Sequence, residues 1–452
     1  MGKPGRSGDH ALRPSNRLKA VSEQPFPDER DLEPRNLIRA SHLVLRTGNL
    51  MLGAGTSTLR VRQSMTRVAR ALGIDHLQAQ VTFTNVVVTV HRRAIFRTQA
   101  GEITTPGVDA DRIRAIQHFA RNLPERLSAE EVTARLDAIE SRRALHPNWL
   151  VALAVGLACA SVGFLGGISW RELLAVLLAG VTSFSVHRRL LRWRLNLFGS
   201  VVISTLVASL VYVGMSFLTH GFSLDSSPRV VAGFVAASVF LVPGFPLLTG
   251  ALDLARLDLQ SGIGRMAYAA LVMLSIGVGA WIVASIVGLD PTSPPPVFLD
   301  PPLLWTLRVV ASFLAVHGWA IMFNSPWREA VGSGVIAIVG SVVRLAMLDA
   351  GVIDHVATFV GALVIGVGCH LIARWFGLTR LIMLVPTLLV MIPGAPALQA
   401  LLHFNSGDLF SALGNGIFVV LQVIAMVCGL VASMMLLDPA WAFTRKETLP
   451  QR

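Results

Sequence analysis

From residue 149 to residue 437 the chain consists of apolar runs separated by short polar loops. Most of the runs are long enough for a helix to cross the roughly 30 Å hydrocarbon core of a bilayer. Ten can be delimited, at 149–167, 171–187, 196–219, 229–250, 266–288, 303–323, 330–348, 354–374, 380–402 and 413–437. We therefore expect an α-helical polytopic membrane protein with ten transmembrane helices. The composition agrees, because only 15% of the residues are charged, against roughly 25% in soluble proteins.

The first third of the chain is polar by comparison. Residues 1–34 contain five prolines and no apolar core of a signal peptide, so they are predicted to be a disordered tail. Residues 35–147 are predicted to form a small cytosolic α/β domain. It has helix-patterned segments at both ends, a Val- and Thr-rich alternating stretch that indicates one or two strands, and IFRT (95–98) as a further strand that could pair with it. Ser128 and Glu131 have the spacing of a capping box.

The basic residues predict the orientation in the membrane. With the N-terminal domain inside, the inner loops and tail carry twelve Lys or Arg, whereas the outer connections carry about four. Positive charge favours the cytoplasmic side. We therefore expect a multi-pass protein of a prokaryotic plasma (inner) membrane with both termini cytoplasmic. The predicted units are a first membrane repeat (148–289), an external Pro-rich linker (290–302), a second repeat (303–438) and a cytosolic tail (439–452).

One motif occurs twice in the membrane part. IPGAPALQALLHFNSGDLFSALG (392–414) matches VPGFPLLTGALDLARLDLQSGIG (242–264) at a constant offset of 150 residues, and nine of the 22 positions from 243 to 264 are identical. The motif lies on the fourth run of each set of five. Because five is odd, the second half would be inserted upside down. Inverted repeats with broken helices are typical of secondary transporters, and a duplicated scaffold that transports nothing is the alternative.

The prolines of the motif predict a break in each fourth helix. Proline lacks a backbone N–H, so carbonyls near 239–242 lose their helical donors. A helix that begins near Pro246 would direct N–H groups and a positive dipole end at a carboxylate. A kink whose groups are satisfied by neighbouring helices is the alternative. The predicted substrate-binding residues are Pro243, Gly244, Pro246 and Thr249 in the first half, and Pro393, Gly394, Pro396 and Gln399 in the second.

Four titratable residues near the breaks are candidates for proton coupling. Asp253 follows the first break, and His403 is its repeat counterpart. Asp258 and Asp408 occupy equivalent positions in the two halves. A carboxylate within a membrane segment is a candidate for proton transfer or substrate pairing. The alternatives are that Asp253 lies at the membrane interface, and that Asp258 and Asp408 cap the helices that follow them.

No motif predicts an enzyme, a cofactor or a metal site. The chain lacks GxSxG, HExxH, a P-loop and a GxGxxG after a strand. Its three cysteines, Cys159, Cys369 and Cys428, are far apart within apolar runs and are expected to be buried thiols. The net charge of +12 comes from arginines spread over the N-terminal third and the loops. That distribution does not favour binding to nucleic acid.

These residues resemble the threonine/serine exporter family, which combines a cytosolic N-terminal domain with ten membrane helices. The similarity covers about 37–437, and its most specific segments are 53–73, 241–269 and 392–401. Arg62 departs from the family pattern, which often has an acidic residue there. The resemblance implies export of threonine and serine coupled to the proton motive force. It also implies a relation to succinate exporters of some bacteria, whose two subunits look like the two halves.

We therefore expect a secondary-active exporter that works by alternating access around the paired breaks. Its expected partners are threonine, serine or a small carboxylate as substrate, protons and the lipid bilayer, and self-association is left open. A dicarboxylate exporter of the succinate type is one alternative. A membrane scaffold or signalling protein without transport activity is the other.

Overall fold

The structure is a computed structural model, and it describes residues 35–103, 107–168, 170–220, 228–288 and 299–437. The predicted tail 1–34, most of the predicted linker 290–302 and the predicted tail 439–452 lie outside the described residues.

The part of the chain predicted to be an N-terminal domain (35–147), and called the N-terminal domain below, has two helices, three strands and two further helices. In chain order they are α1 (Arg35–Gly53), α2 (Thr58–Ala71), β1 (His76–Val81), β2 (Asn85–Arg92), β3 (Ile95–Glu102), α3 (Ala110–Arg121) and α4 (Ala129–Glu140). The strands form an antiparallel sheet in the order β1-β2-β3. The prediction of one or two strands with IFRT as a partner thus becomes three. The turn between β2 and β3 places Arg93 at a φ of 54° without the Gly or Asn that usually marks such a turn.

One face of the sheet is buried under α1 and α2. Val86, Val88 and Val90 alternate along β2 and are fully buried together with Val44 and Met65. This period of two is the pattern of a strand with one face in the core. At the start of α4 the capping box is confirmed, because the Ser128 hydroxyl accepts from the Glu131 N–H and the Glu131 carboxylate accepts from the Ser128 N–H.

The membrane part consists of helices. They are α5 (Asn148–Leu165), α6 (Trp170–Arg192), α7 (Leu197–His220), α8 (Pro228–Ser238), a 3-10 turn (Val239–Leu241), α9 (Gly244–Leu254), α10 (Leu259–Val287), α11 (Pro301–Met322), α12 (Trp327–Asp349), α13 (Asp354–Phe376), α14 (Arg380–Leu389), α15 (Gly394–Asn405) and α16 (Leu409–Leu437). Among the described residues eight helices are long and apolar enough to cross a membrane, or nine if the bent pair of α8 and α9 is one span. The chain is a multi-span membrane protein, and ten crossings stay a prediction.

The two halves have the same order of elements. Each has three long helices, a pair of short helices separated by a Pro-Gly sequence, and a final helix of 29 residues. The N-terminal domain contacts the start of α10, where Gln80 binds Gln260, and the end of α11, where the Ala110 N–H binds the Phe323 carbonyl. The helix α10 extends about 43 Å from that contact. The end of α10 and the start of α11 therefore lie on the side of the membrane part that is opposite to the N-terminal domain. The inverted repeat requires this arrangement and itself stays a prediction.

Small residues let the long helices approach closely. A Cβ added to Gly318 on α11 would lie 2.4 Å from the Ala154 carbonyl of α5, and one added to Gly429 on α16 would lie 2.2 Å from the Phe359 carbonyl of α13. Such contacts are common between membrane helices. Cys159 and Cys369 are buried as predicted, but the prediction is wrong for Cys428, which is exposed on α16.

Candidate functional site: two helix breaks and their cavities

The first break is a tight backbone turn at Pro243. Pro243 has φ −80° and ψ 63°, the conformation of an inverse γ-turn, and the Gly244 N–H donates to the Val242 carbonyl at 2.8 Å. In a continuous α-helix that N–H would bind Phe240. The chain therefore bends by 70° between α8 and α9.

The second break repeats this turn. Pro393 has φ −77° and ψ 70°, and the Gly394 N–H donates to the Ile392 carbonyl at 2.9 Å. The helices after the breaks begin at Gly244 and Gly394, two residues before the start predicted near Pro246. The first turn of a helix tolerates proline, since its N–H would have no helical partner there.

The two breaks pack against each other reciprocally. A Cβ added to Gly244 would lie 1.8 Å from Cδ2 of Leu389, four residues before Pro393. A Cβ added to Gly394 would lie 3.9 Å from Cγ2 of Val239, four residues before Pro243. Each glycine therefore faces the helix that leads into the other break. Such reciprocal pairing is the pattern expected of contacts across a two-fold axis.

A cavity of about 320 Å³, here called the first-break cavity, lies beside Pro243, Gly244 and Pro246. The N-terminal domain forms part of its wall with Phe83 and with residues next to α1 and α3. Among the described residues that line it, Arg265 alone has a permanent charge, and the other polar side chains are His187 and Tyr268. The site is thus mostly apolar and aromatic, with one cation at its edge.

A second cavity of about 320 Å³, the second-break cavity, lies beside Pro393, Gly394 and Pro396. Its charged residues are Arg344 and Asp354, whose Nη2 and Oδ1 atoms are 2.6 Å apart. The buried Gln422 donates to the same Oδ1 at 3.0 Å. This cavity therefore has a cation and an anion already paired in its wall.

An apolar layer separates the two cavities. A void of about 10 Å³ lies within it, about the volume that a single water requires. The void shares Val239 and Ile392 with the second-break cavity, and Phe240, Val242 and Met322 with the first-break cavity. Trp319 and Leu389 complete its wall. The residues that the void shares with each cavity place this layer between the two.

Asp253 lies beyond the first break in a buried polar network. Its side chain accepts from the hydroxyls of Thr58 and Ser261, each at 3.0 Å, and from the Thr58 N–H at 3.3 Å. Because Thr58 begins α2, the carboxylate of a membrane segment caps a helix of the N-terminal domain. The Arg265 Nε atom is 3.3 Å from the Asp253 Oδ2 atom.

Arg265 lies in the second turn of α10 and is only 2% exposed. Its Nη1 donates to the Thr249 hydroxyl at 2.8 Å, and its Nη2 donates to the Thr56 carbonyl at 2.9 Å. Its guanidinium also lies over the Phe83 ring, 5.5 Å from the centroid. Arg265 is one of the twelve basic residues assigned to the inner loops and tail from the sequence, and its assignment to an exposed loop is wrong. The Thr249 hydroxyl donates to its own helix at the Phe245 carbonyl.

The other coupling candidates have different surroundings. Asp258 makes no side-chain cap of α10 and pairs with Arg62 of α2 at 3.1 Å. Asp408 does cap α16, because it accepts from the Ser411 N–H at 3.1 Å, and the hydrogen bonds from Ser411 lower the pKa of its carboxyl. His403 lies 3.4 Å from Asp408, outside any network like that of Asp253.

The structure brings the predicted prolines and glycines of each break to one cavity each. Gln399 is half-buried on α15 and lines neither cavity. Sequence reasoning did not single out Thr56, Thr58 or Arg265 as site residues. One available signal was that Arg265 immediately precedes a run without charge from 266 to 287, where a cation is costly unless it is paired or faces a cavity.

Comparisons with known proteins relate the chain to membrane transport proteins. A family model described as "Putative threonine/serine exporter" matches residues 42–287, more than half of the chain, and one described as "Threonine/Serine exporter, ThrE" matches residues 308–436. A "Probable threonine/serine exporter" of Mycobacterium tuberculosis is 25% identical over 402 residues, which cover 84% of this chain and 72% of that protein.

Two other relatives cover about half of the chain. The "Probable succinate transporter subunit YjjP" of Escherichia coli is 27% identical over 251 residues, which are 55% of this chain and 95% of that protein. The "Pheromone-regulated membrane protein 10" of Saccharomyces cerevisiae is 24% identical over 259 residues, which are 56% of this chain and 33% of that protein. No solved structure matches. The family models together cover the N-terminal domain and both membrane halves, and the chain belongs to the threonine/serine exporter family of membrane transport proteins.

Proposed function

We propose that this protein is a secondary-active exporter of small amino acids, threonine and serine, driven by the proton motive force. The observation that carries the proposal is the pairing of each helix break with its own cavity, on either side of an apolar layer. In alternating access, the binding site is open to only one side of the membrane at a time. An apolar layer between the two cavities would keep the site closed to the other side.

The reciprocal contacts of the breaks supply a means of moving them together. Gly244 rests on Leu389, and Gly394 faces Val239. Because Val239 and Leu389 also belong to the apolar layer, a shift of one break alters the layer and the other break at once. The substrate would cross between the cavities while the helices that lead into the breaks slide past one another.

Proton coupling is assigned to Asp253 in preference to the other three candidates. Its carboxylate is 2% exposed and joins Thr58 and Ser261 to Arg265. Protonation would remove the charge that holds these groups together. Asp258, His403 and Asp408 lie in more exposed pairs near helix ends, where a proton would change little else in the protein.

The proposed orientation has both termini in the cytoplasm. The twelve basic residues assigned to one side support it, and eleven remain once the buried Arg265 is removed from that count. The first-break cavity then lies toward the cytoplasm and the second-break cavity toward the outside.

Efflux from proteoliposomes tests the proposal. Vesicles that contain the full chain are loaded with labelled L-threonine, and efflux is recorded with and without a proton gradient. We expect efflux that depends on the gradient and is inhibited by L-serine, and loss of this dependence in Asp253→Asn. His403→Gln is the matched control, because it changes the repeat counterpart outside the buried network and should leave the dependence in place.

The dicarboxylate exporter is a second candidate because the Escherichia coli relative, aligned over 95% of its length, carries the name of a succinate transporter subunit. Gradient-dependent efflux of succinate without efflux of threonine would favour it. If no amino acid and no dicarboxylate leaves the vesicles in either condition, the scaffold or signalling alternative replaces the proposal.

A further inference from the structure

Arg265 is unusual because it is buried, charged and at the edge of a cavity. Its side chain is 2% exposed, yet it lines the first-break cavity. Its partner Asp253 does not line that cavity. Arg265 therefore borders the cavity and is also in contact with the carboxylate that neutralises it.

The hydrogen bonds of Arg265 leave part of the guanidinium unused. A guanidinium has five N–H groups. Nε is used by Asp253 and Ser261, one N–H of Nη1 by Thr249, and one N–H of Nη2 by Thr56. One N–H on each Nη atom thus has no acceptor among the described residues. If Arg265 served only to hold the N-terminal domain against α10, it would need neither a neighbouring cavity nor unused N–H donors.

The chemistry of the cavity favours an anion with a small apolar body. Of the lining residues in the described part of the chain, Arg265 alone is permanently charged, and the rest of the wall is mostly apolar. The Phe83 and Tyr268 rings, with centroids 5.1 Å apart, form an aromatic part of the wall near the guanidinium. Arginine binds carboxylates with two parallel hydrogen bonds. The volume of about 320 Å³ is at the lower end of the roughly 300–1,000 Å³ range of ligand pockets.

We propose that Arg265 binds the carboxylate of the transported molecule in the first-break cavity, in a site whose wall the N-terminal domain completes. This proposal rests on the proposed transport function and adds the recognition group. The Thr56 carbonyl and the Thr58 hydroxyl, both from the N-terminal domain, orient Arg265 directly and through Asp253. The domain is therefore part of the binding site, and its undocking would release the guanidinium.

Binding of small carboxylates to the purified full chain in nanodiscs tests this site by calorimetry. The probes are L-threonine, succinate and L-threoninol, in which a hydroxymethyl group replaces the carboxylate. We expect the wild-type protein to bind L-threonine or succinate about 10- to 100-fold more tightly than L-threoninol, the range typical of a hydrogen bond to a charged group.

The variants remove the guanidinium without leaving a buried charge unpaired. Asp253→Asn/Arg265→Met removes both charges together, and we expect it to lose the preference for carboxylates. Arg265→Lys keeps the charge but loses the two-pronged geometry, so we expect an intermediate affinity. Arg308→Met is the matched control, since Arg308 also pairs with an aspartate on a membrane helix but lines neither cavity. It should bind as the wild type does.

Each result has a defined consequence. Unchanged L-threonine affinity in the double variant, or in Arg265→Lys if the double variant does not fold, overturns the assignment of Arg265 even if efflux is intact. A wild type that does not distinguish L-threonine and succinate from L-threoninol also overturns it. A wild type that binds succinate alone supports the carboxylate site and contradicts the amino-acid substrate proposed above.

Discussion

Gly244 packs against Leu389 so tightly that an added methyl group would lie 1.8 Å from Cδ2 and 2.9 Å from Cγ of the leucine. Rotation of the leucine about χ2 moves its terminal methyl groups but leaves Cγ in place. We therefore expect Gly244→Ala to separate α9 from α14, to lower the free energy of unfolding by about 1–3 kcal/mol and to abolish threonine efflux. Thermal unfolding in detergent and the proteoliposome assay measure the two effects.

The repeat counterpart is a built-in control for that variant. A Cβ at Gly394 would lie 3.7 Å from Val235, an ordinary van der Waals distance. Gly394→Ala should therefore change the unfolding free energy by no more than about 0.5 kcal/mol. Gly244→Ala/Leu389→Ala should recover part of the loss, because the shorter side chain makes room for the methyl group. If Gly244→Ala and Gly394→Ala lowered the unfolding free energy equally, the close contact between Gly244 and Leu389 would not be the cause of the loss.

Arg62 and Asp258 join the N-terminal domain to the loop before α10, with Nη2 and Oδ2 3.1 Å apart. We expect Arg62→Glu to weaken docking by placing two carboxylates together, with faster amide exchange at the start of α2 in the full chain. The reciprocal variant Arg62→Glu/Asp258→Arg should restore slow exchange. The effect should be about 1 kcal/mol or less, because the pair is partly exposed. If the charge reversal is not rescued, the ion pair does not contribute to docking.

Gln422 on α16 links to α13 beside the second-break cavity. Its Nε2 donates to Thr358 and Asp354, and its Oε1 is 3.0 Å from Nδ1 of His355. Gln422→Leu removes these bonds while keeping a similar volume, so we expect a loss of about 1–3 kcal/mol in unfolding free energy. Gln399→Leu, on α15 outside both cavities, is the control and should have little effect. Similar melting temperatures for the two variants would show that the network does not stabilise the fold.

Ser128→Ala should loosen the start of α4. The Ser128 hydroxyl accepts from the Glu131 N–H at 3.2 Å, and removing such a cap costs about 1 kcal/mol. Hydrogen exchange of the α4 amides in the full chain measures the change. Ser141→Ala, at the other end of the same helix, is the control, and equal exchange in both variants would argue against the cap.

The same cap should depend on pH. Hydrogen bonds from the Ser128 N–H and hydroxyl lower the pKa of the Glu131 carboxyl below its usual value. A carboxyl with a lowered pKa in the folded state stabilises that state above its unfolded pKa, and the contribution is lost as pH falls through the folded pKa. The difference in α4 exchange between wild type and Ser128→Ala should therefore be largest at neutral pH and shrink in acid. A difference that grows in acid would contradict the assignment.

The helix breaks could be predicted because their cause is local. Pro243 and Pro393 cannot donate a backbone hydrogen bond wherever they lie, and their agreement at an offset of 150 residues indicates the repeat. The three-stranded sheet was only partly predicted, since the turn at Arg93 lacks a Gly or Asn signal.

The contacts that define the candidate site could not be predicted, because they join distant parts of the chain. Asp253 meets Thr58 across 195 residues, and Arg265 meets the Thr56 carbonyl across 209. Nothing in the period or composition of either segment encodes such a pairing. The sequence for this reason predicts a loop charge at Arg265, although the fold buries it beside a cavity.

The sequence by itself determined that this chain spans a membrane, that its fourth helix in each half breaks at a proline, and that it resembles threonine/serine exporters. These properties depend on the hydropathy of single segments, on the missing N–H of proline and on short motifs. Only the tertiary structure decided that Gly244 faces Leu389, that each break has its own cavity, and that the N-terminal domain helps to enclose one of them. Those features arise from packing between segments, and packing depends on the shapes of side chains that the chain brings together only when it folds.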